Sequence, residues 1–422
     1  MNKHRYHTTA VNQVNWDQVA EQAGKAKVIF AVDVAKEKFV GALMMPDRTV
    51  LKTIKWAHPV QTPELMQGLV SQLGVSRLEA AMEPSGTYGD ALRALFEGHG
   101  IPVYRVSPKR VHDSAEVFDG VPSLHDAKSA YQIGRLHLDG ISHHWDPHPE
   151  ERRALTAQIS MLKLHQERIQ SSGNRLEAQL ARHWPELPRV LDVGSVTVMT
   201  LLAAYGSPAQ VATHAEEARQ LMRSSGGSGL SPEKIEGVIE AAQQTLGVSC
   251  IEDECVLLKT LAQDMLDNTR ARQRIERILA ARVETNPIAN QMASVVGNTS
   301  AAVLLSTLGV PQSYSDANSY LKGLGLNIKE RSSGEFIGQV KITKRGPGLA
   351  RQYLYFAALR WLYRDPIIQT WYQRKVARDG GLKGKAIVAI MRKLGKALWH
   401  LAQGGVFDPR RLFNIKSLDQ AV

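Results

Sequence analysis

Six residues, Val28 to Asp33, constrain this chain more than any others: five apolar side chains in an unbroken run, then a carboxylate. A continuous apolar run of that length suits a strand covered on both faces. The acid at its end must find hydrogen-bond donors or a cation, because burying an unpaired charge is costly. A second strand is expected from Phe39 to Met45 and a third from Thr49 to Ile54, joined by a turn at Pro46 and Asp47. Leu65, Leu69 and Leu73 share one face of a helix over Pro63 to Leu73. A short buried strand, Leu78 to Met82, ends at Glu83; a turn, a helix from Tyr88 to Glu97 and a fifth strand from Pro102 to Val106 follow. Ser107 and Pro108 then read as a helix start, the first as N-cap and the second in the opening turn. After a Gly/Pro-containing loop at 119–123, a last helix runs from about His125 to Leu138. Strands first in a meander and then alternating with helices make a mixed α/β sheet.

Asp33 and Glu83 both close strands, and they meet if those strands are neighbours. Asp126, at the start of the last helix, can complete the set. Three converging carboxylates repel one another unless a cation lies between them, and Mg²⁺ takes oxygen ligands and shares them with substrate phosphates. The competing reading is three unconnected surface or capping acids. A strand, an acid and a hairpin open two superfamilies, the RNase H-like nucleases and the actin-like ATPases. The second is disfavoured, because Asp33 is followed by Val34, Ala35 and Lys36 and no glycine-rich phosphate loop follows the hairpin.

At 422 residues the chain has room for two or three domains. Its net charge of +11 favours a polyanionic partner, nucleic acid before membrane. No apolar run approaches the roughly 20 residues of a membrane span, and the first residues lack the apolar core of a signal peptide. Two cysteines, Cys250 and Cys255, without a second pair argue against a zinc site or a disulfide framework. A cytoplasmic, nucleoid-associated protein is therefore expected.

Two long polar helices follow the α/β region. In the first, over 148–184, Leu155, Ile159, Leu162, Ile169, Leu176 and Leu180 form a coiled-coil seam that Gln166 and Gly173 weaken. In the second, from about Ile251 to Val283, Leu258, Leu261, Met265, Ile275 and Leu279 form the seam, interrupted by Asn268 and Arg272. Such arms pair with each other or across a dimer, unless they are spacers in a bundle. An internal repeat accompanies them: Val193 to Pro208 aligns without gaps to Val296 to Pro311. Each copy reads as a turn opening a helix, either a helix-turn-helix-like unit gripping a nucleic-acid backbone or plain packing. Then comes a basic, glycine-punctuated stretch in which Ser332 and Ser333 precede Gly334, with Arg331, Lys341, Lys344, Arg345 and Arg351 around them. A positioned hydroxyl among cations suits attack on a phosphodiester, and equally a phosphate-gripping loop.

Taken in order, Ala31 to Lys36, Met82 to Tyr88, Val106 to Arg110, His125 to Ala130, and Arg331 to Gly334 with Ile342 to Gly346 resemble the motifs of the DEDD-type insertion-sequence transposases, relatives of the Piv-type invertases described as bridge-RNA-guided recombinases. The resemblance covers most of the chain. Residues 1–25 are polar and read as a flexible arm; after it the resemblance implies an RNase H/RuvC-like domain at 26–146, coiled-coil helices at 147–187 and 251–285 around a helical module at 188–250, and a mainly helical serine transposase domain at 286–422. It further implies Mg²⁺ on Asp33, Glu83 and Asp126, with Ser333 as nucleophile and Ser332 as the alternative. Donor and target DNA, a structured guide RNA and further copies of the chain, as dimer or tetramer, are the implied partners. Lys36, Lys109, Arg110, Lys128, Arg331, Lys341, Lys344, Arg345 and Arg351 would contact nucleic acid. Where the family reads Asp-x-x-Asp-Ala, this chain has Asp126, then Ser129 and Ala130. The fourth carboxylate is thus a hydroxyl, a poorer Mg²⁺ ligand, and Asp119 and Asp139 are candidates for its place. The rival functions are a metal-dependent nuclease or junction resolvase, which needs no serine, and a non-catalytic nucleic-acid-binding relic.

Overall fold

The computed structural model describes residues 6–84, 86–227, 229–329 and 341–414, together with the backbone of Ser332–Ser333 and Phe336–Ile337. Arg331 lies outside the described residues. The chain divides into two compact units at Pro147.

The first unit is built on a sheet of seven strands: β1 (Thr8–Ala10), β2 (Val28–Asp33), β3 (Lys38–Met44), β4 (Val50–Ala57), β5 (Leu78–Met82), β6 (Val103–Arg105) and β7 (His143–His144), in the order β1-β4-β3-β2-β5-β6-β7. The β2-β3-β4 meander is antiparallel, and β5 joins β2 in parallel. Its helices are α1 (Trp16–Ala23), α2 (Thr62–Gly68), α3 (Asp90–Gly98), α4 (Pro108–Asp113) and α5 (Asp126–Leu138). β2 is buried on both sides because alternate residues serve different layers. Val28, Phe30 and Val32 pack with Leu65, Leu69, Leu92 and Phe96, whereas Ile29 and Ala31 pack with Ile133 and Leu136 of α5. On β3, Val40, Ala42 and Met44 meet Ala127, Ala130 and Tyr131 of the same helix. Gly134 lets α5 lie this close: a Cβ there would stand 3.1 Å from the Ala31 Cβ and collide with the Met44 sulfur.

Residues 1–25 are not the flexible arm expected, as far as they are described. Thr8–Ala10 adds a parallel strand to β4, and Val11, Val19 and Ala23 are buried in the sheet's core. Three residues of strand are too short to give a periodic signal, so the sequence did not announce them.

The second unit is helical. It begins with α6 (Glu150–His183), followed by α7 (Leu187–Val190), α8 (Val196–Tyr205), α9 (Pro208–Thr213), α10 (Ala215–Ser225) and α11 (Pro232–Gln243), and by α12 (Glu252–Thr285). Both α6 and α12 have 34 residues, about 50 Å of helix. They pair with each other, antiparallel. Leu155, Ile159 and Leu162 share a core with Ile275, Leu279 and Val283, while Leu176 and Leu180 share one with Leu258, Leu261 and Met265. A polar layer interrupts the seam. The buried Asn268 lies 2.8 Å from the His165 ring nitrogen and donates 2.7 Å to the Asp264 carbonyl, while Ser172 donates to the Asp264 carboxylate. Such a layer is satisfied in one register only.

The remaining elements are α13 (Pro287–Val296), α14 (Asn298–Leu308), α15 (Ala317–Gly323), α16 (Gly348–Arg364), α17 (Pro366–Arg378) and α18 (Lys383–Ala402). Between α15 and α16 lie short strands, β8 (Ile328–Lys329), β9 (Ser332–Ser333), β10 (Phe336–Ile337) and β11 (Lys341–Ile342). The two sequence repeats each open a helix, α8 and α14. Along α14 nearly every residue from Ser300 to Leu308 is buried, and α8 buries Thr197 to Met199 with Leu201 and Leu202. Their shared residues are thus core residues, which is the packing reading of the repeat. No helix among the described residues is long and apolar enough to cross a membrane.

Candidate active site

Strand register decides whether the acids meet. Val32 stands opposite Met82 on the parallel neighbour β5, so Asp33 and Glu83 follow at the next position of each strand. Alternation puts both on one face: Ile29 and Ala31 precede Asp33 by even steps, Ala81 precedes Glu83 by two, and all three face α5. Asp126 is the first residue of that helix, whose N-cap is the His125 side chain, accepting from the Lys128 N–H at 3.3 Å.

The electrostatics report the convergence. The Asp33 carboxyl is raised from 3.8 to about 7, first by burial and then by the negative charges of Glu83 and Asp126; the Val34 N–H opposes this only in part. Two neighbouring acids that hinder the ionisation of a third form a site that a cation relieves. The donor set, carboxylate oxygens, fits a hard divalent ion. Among the described residues, no three His, Cys, Asp or Glu side chains are drawn to metal-holding distances as they stand.

Ser129 follows Asp126 by three residues on α5, hence on the same side of the helix. The two acids considered for the fourth place are engaged elsewhere. Asp139 pairs with Arg48 at 2.6 Å and lies past the far end of α5, about 20 Å of helix from Asp126. Asp119 accepts from Lys128 at 2.8 Å, from the Tyr6 hydroxyl at 2.8 Å and from the Val121 N–H at 3.0 Å. Its carboxyl is held down to about 2, chiefly by Lys128.

That contact corrects the expectation for Lys128. Its side chain is 2% exposed and its ammonium donates to Asp119 and, at 2.6 Å, to the Val121 carbonyl, so it braces the loop before Asp126 and offers no charge to nucleic acid. Arg351 is likewise engaged: its guanidinium donates to the carbonyls of Leu324 at 3.1 Å and Gly346 at 2.8 Å, closing the turn before α16. Lys36, Lys109 and Arg110 are exposed in the first unit, Lys109 pairing with Asp113 at 2.7 Å. Lys341, Lys344 and Arg345 are exposed in the second.

The serines lie in a ladder of two nested pairs. Ser333 stands opposite Phe336 and Ser332 opposite Ile337, while Lys329 stands opposite Lys341. Like charges directly opposite are unfavourable without an anion between them. Lys329 was not singled out from sequence. Nor were Lys38 and Lys55.

A mixed sheet with parallel β2 and β5 ending in acids, crossed by a helix that begins with a third, is the arrangement of a DEDD-type, RNase H-like domain. Residues 30–185 match a family model for DEDD transposases of the IS110 type, described as Transposase, and residues 292–373 match the Transposase IS116/IS110/IS902 family. The two matches together span more than half of the chain, and the chain belongs to this transposase family. It is an enzyme that acts on DNA. No curated protein compared with it matches.

Proposed function

We propose that the chain cuts and rejoins the DNA of an insertion sequence through a 5′-phosphoserine intermediate, guided by a structured RNA. The observation that carries the reading is the Asp33 carboxyl, buried against Glu83 and Asp126 and raised to about 7. Such a site favours a divalent cation, taken to be Mg²⁺, on these three residues; when bound, it supplies positive charge to the non-bridging oxygens of a phosphodiester. Asp33 and Glu83 on neighbouring strands and Asp126 at the helix start orient that phosphate. The Ser333 hydroxyl of another copy of the chain attacks phosphorus. An Oγ–P bond forms, the P–O3′ bond breaks, and the proton lost from the serine passes to the leaving 3′-oxygen. A 3′-hydroxyl of a partner strand then attacks the phosphoserine, restoring a phosphodiester and the free serine. Each step exchanges one phosphoester for another, so no nucleotide hydrolysis is required.

The exposed lysines and arginines around the Ser332–Ser333 ladder, with Lys329 opposite Lys341, suit a phosphate backbone. The residues shared by the two repeat helices serve packing, and sequence choice is assigned to base pairing with an RNA. Association into dimers or tetramers would use surfaces of the α6–α12 hairpin other than the seam between them.

The test is to purify the protein with its flanking DNA transcribed in the same cell and to look for co-purifying RNA and an SDS-stable protein–DNA adduct. The adduct is expected to vanish in Ser333→Ala and in Asp33→Asn. An adduct that persists in Ser333→Ala but not in Ser332→Ala moves the nucleophile by one residue. Strand cleavage unchanged in both serine variants replaces the reading with a metal-dependent nuclease.

A further inference from the structure

At Asp126 lies an open cleft of about 540 Å³, lined by that residue, by His125 and Gln61 and by two lysines, Lys38 and Lys55. The register places these lysines with respect to Asp33. Asp33 stands opposite Val40 on β3, and Val40 opposite Lys55 on β4. Directly paired residues share a face, so Asp33, Val40 and Lys55 form a row on the α5 side of the sheet. Two strand spacings, about 10 Å, separate its ends. Lys38 is two residues from Val40 on the same face and stands opposite Ala57, one same-face position beyond the row, at the end of the sheet where Asp33 closes β2.

Both lysines are exposed, and neither forms an ion pair among the described residues. They are diagonal neighbours across the β3–β4 pair, about 7–8 Å apart at Cα. Lys38 opens β3 and Lys55 lies within β4, and two ammonium groups so placed repel each other. An anion in the cleft reverses that balance.

We infer that Lys38 and Lys55, in the cleft that Asp126 lines, form a subsite for the DNA backbone beside the phosphate on which the chemistry occurs. The inference rests on the reading that Asp33, Glu83 and Asp126 process DNA, and it adds where the strand runs: away from β2, across β3 and β4. The separation of about 10 Å between Asp33 and Lys55 leaves room for a neighbouring phosphate of the same strand. The occupant is a polyanionic strand, not a small anion, because the cleft is open and its two cations stand on different strands.

The experiment measures binding of the full-length chain to a fluorescein-labelled DNA, single-stranded and duplex, over a series of salt concentrations with EDTA present. Each phosphate contact contributes about 0.9 to the slope of log K against log salt on duplex and about 0.7 on a single strand. Lys38→Gln and Lys55→Gln are each expected to lower the slope by that amount, and the double variant by about twice as much. Lys38→Arg with Lys55→Arg should keep the slope, which separates charge from folding; circular dichroism checks the fold of each variant. A Gln double variant with the parent's slope overturns the inference. A larger loss on an RNA strand of the same sequence overturns the assignment to DNA. If the parent chain itself binds no DNA, the proposed function fails and not the subsite alone.

Discussion

Asp33→Asn is the most informative single change, because its effect on stability has a sign opposite to its effect on activity. In the folded chain the Asp33 carboxyl titrates near 7 rather than 3.8, first through burial and then through Glu83 and Asp126. The folded state therefore holds a proton between those two values that the unfolded state has released. Stability falls as pH rises through that window and stays low above it. About three pKa units at about 1.36 kcal/mol each set an upper bound near 4 kcal/mol. Solvent still reaches part of the carboxylate and screens it, so about 2–3 kcal/mol is expected. The amide removes this penalty. In EDTA at pH 8 the variant's first unit should melt roughly 5–10 °C above the parent, and at pH 4 the two should nearly coincide. Millimolar Mg²⁺ should raise the parent at pH 8 and leave the variant almost unmoved, while the variant loses strand cleavage. Calorimetry at both pH values reads the result. Equal melting points at pH 8 in EDTA, or the same gain at pH 4 as at pH 8, would refute the argument that these acids converge.

Two further changes test how the site and the second unit are held. Lys128→Met leaves Asp119 without its cation and frees the loop before Asp126. It should cost about 1–3 kcal/mol in urea unfolding, and a loss under 1 kcal/mol would mean the brace is unimportant. Asn268→Ala leaves His165 without its partner between the two long helices and should cost about 1–3 kcal/mol. A variant as stable as the parent would show that the polar layer contributes register and not stability.

Much of the first unit was legible because its signals are local. The apolar run Val28–Val32 and the short segment Leu78–Met82 read as covered strands, and each is followed at once by an acid of the candidate site. The helix from Asp126 was marked by the turn residues before it. Ser107, read as an N-cap, shows how local rules fall short: α4 begins after it with Pro108 in the first turn, but its side chain makes no capping bond. Lys128 shows the same limit more sharply. A lysine beside a candidate site acid reads as a phosphate contact, yet this one faces inward, because Asp119, nine residues earlier, supplies a half-buried partner. The arm at 6–25 was missed since three residues joining the edge of a sheet gain their stability from β4 and not from their own pattern.

By itself, the sequence determined which residue types close the strands, where the two long helices run, and that Ser129 stands three residues after Asp126. Only the tertiary structure decided which of these side chains meet. The parallel pairing of β2 with β5 sets Asp33 beside Glu83, Gly134 lets α5 descend far enough to bring Asp126 over them, and the β3–β4 register sets Lys38 and Lys55 on the same face. Pairing between distant strands and the approach of a helix to a sheet are settled by burial and steric fit among residues far apart in the chain.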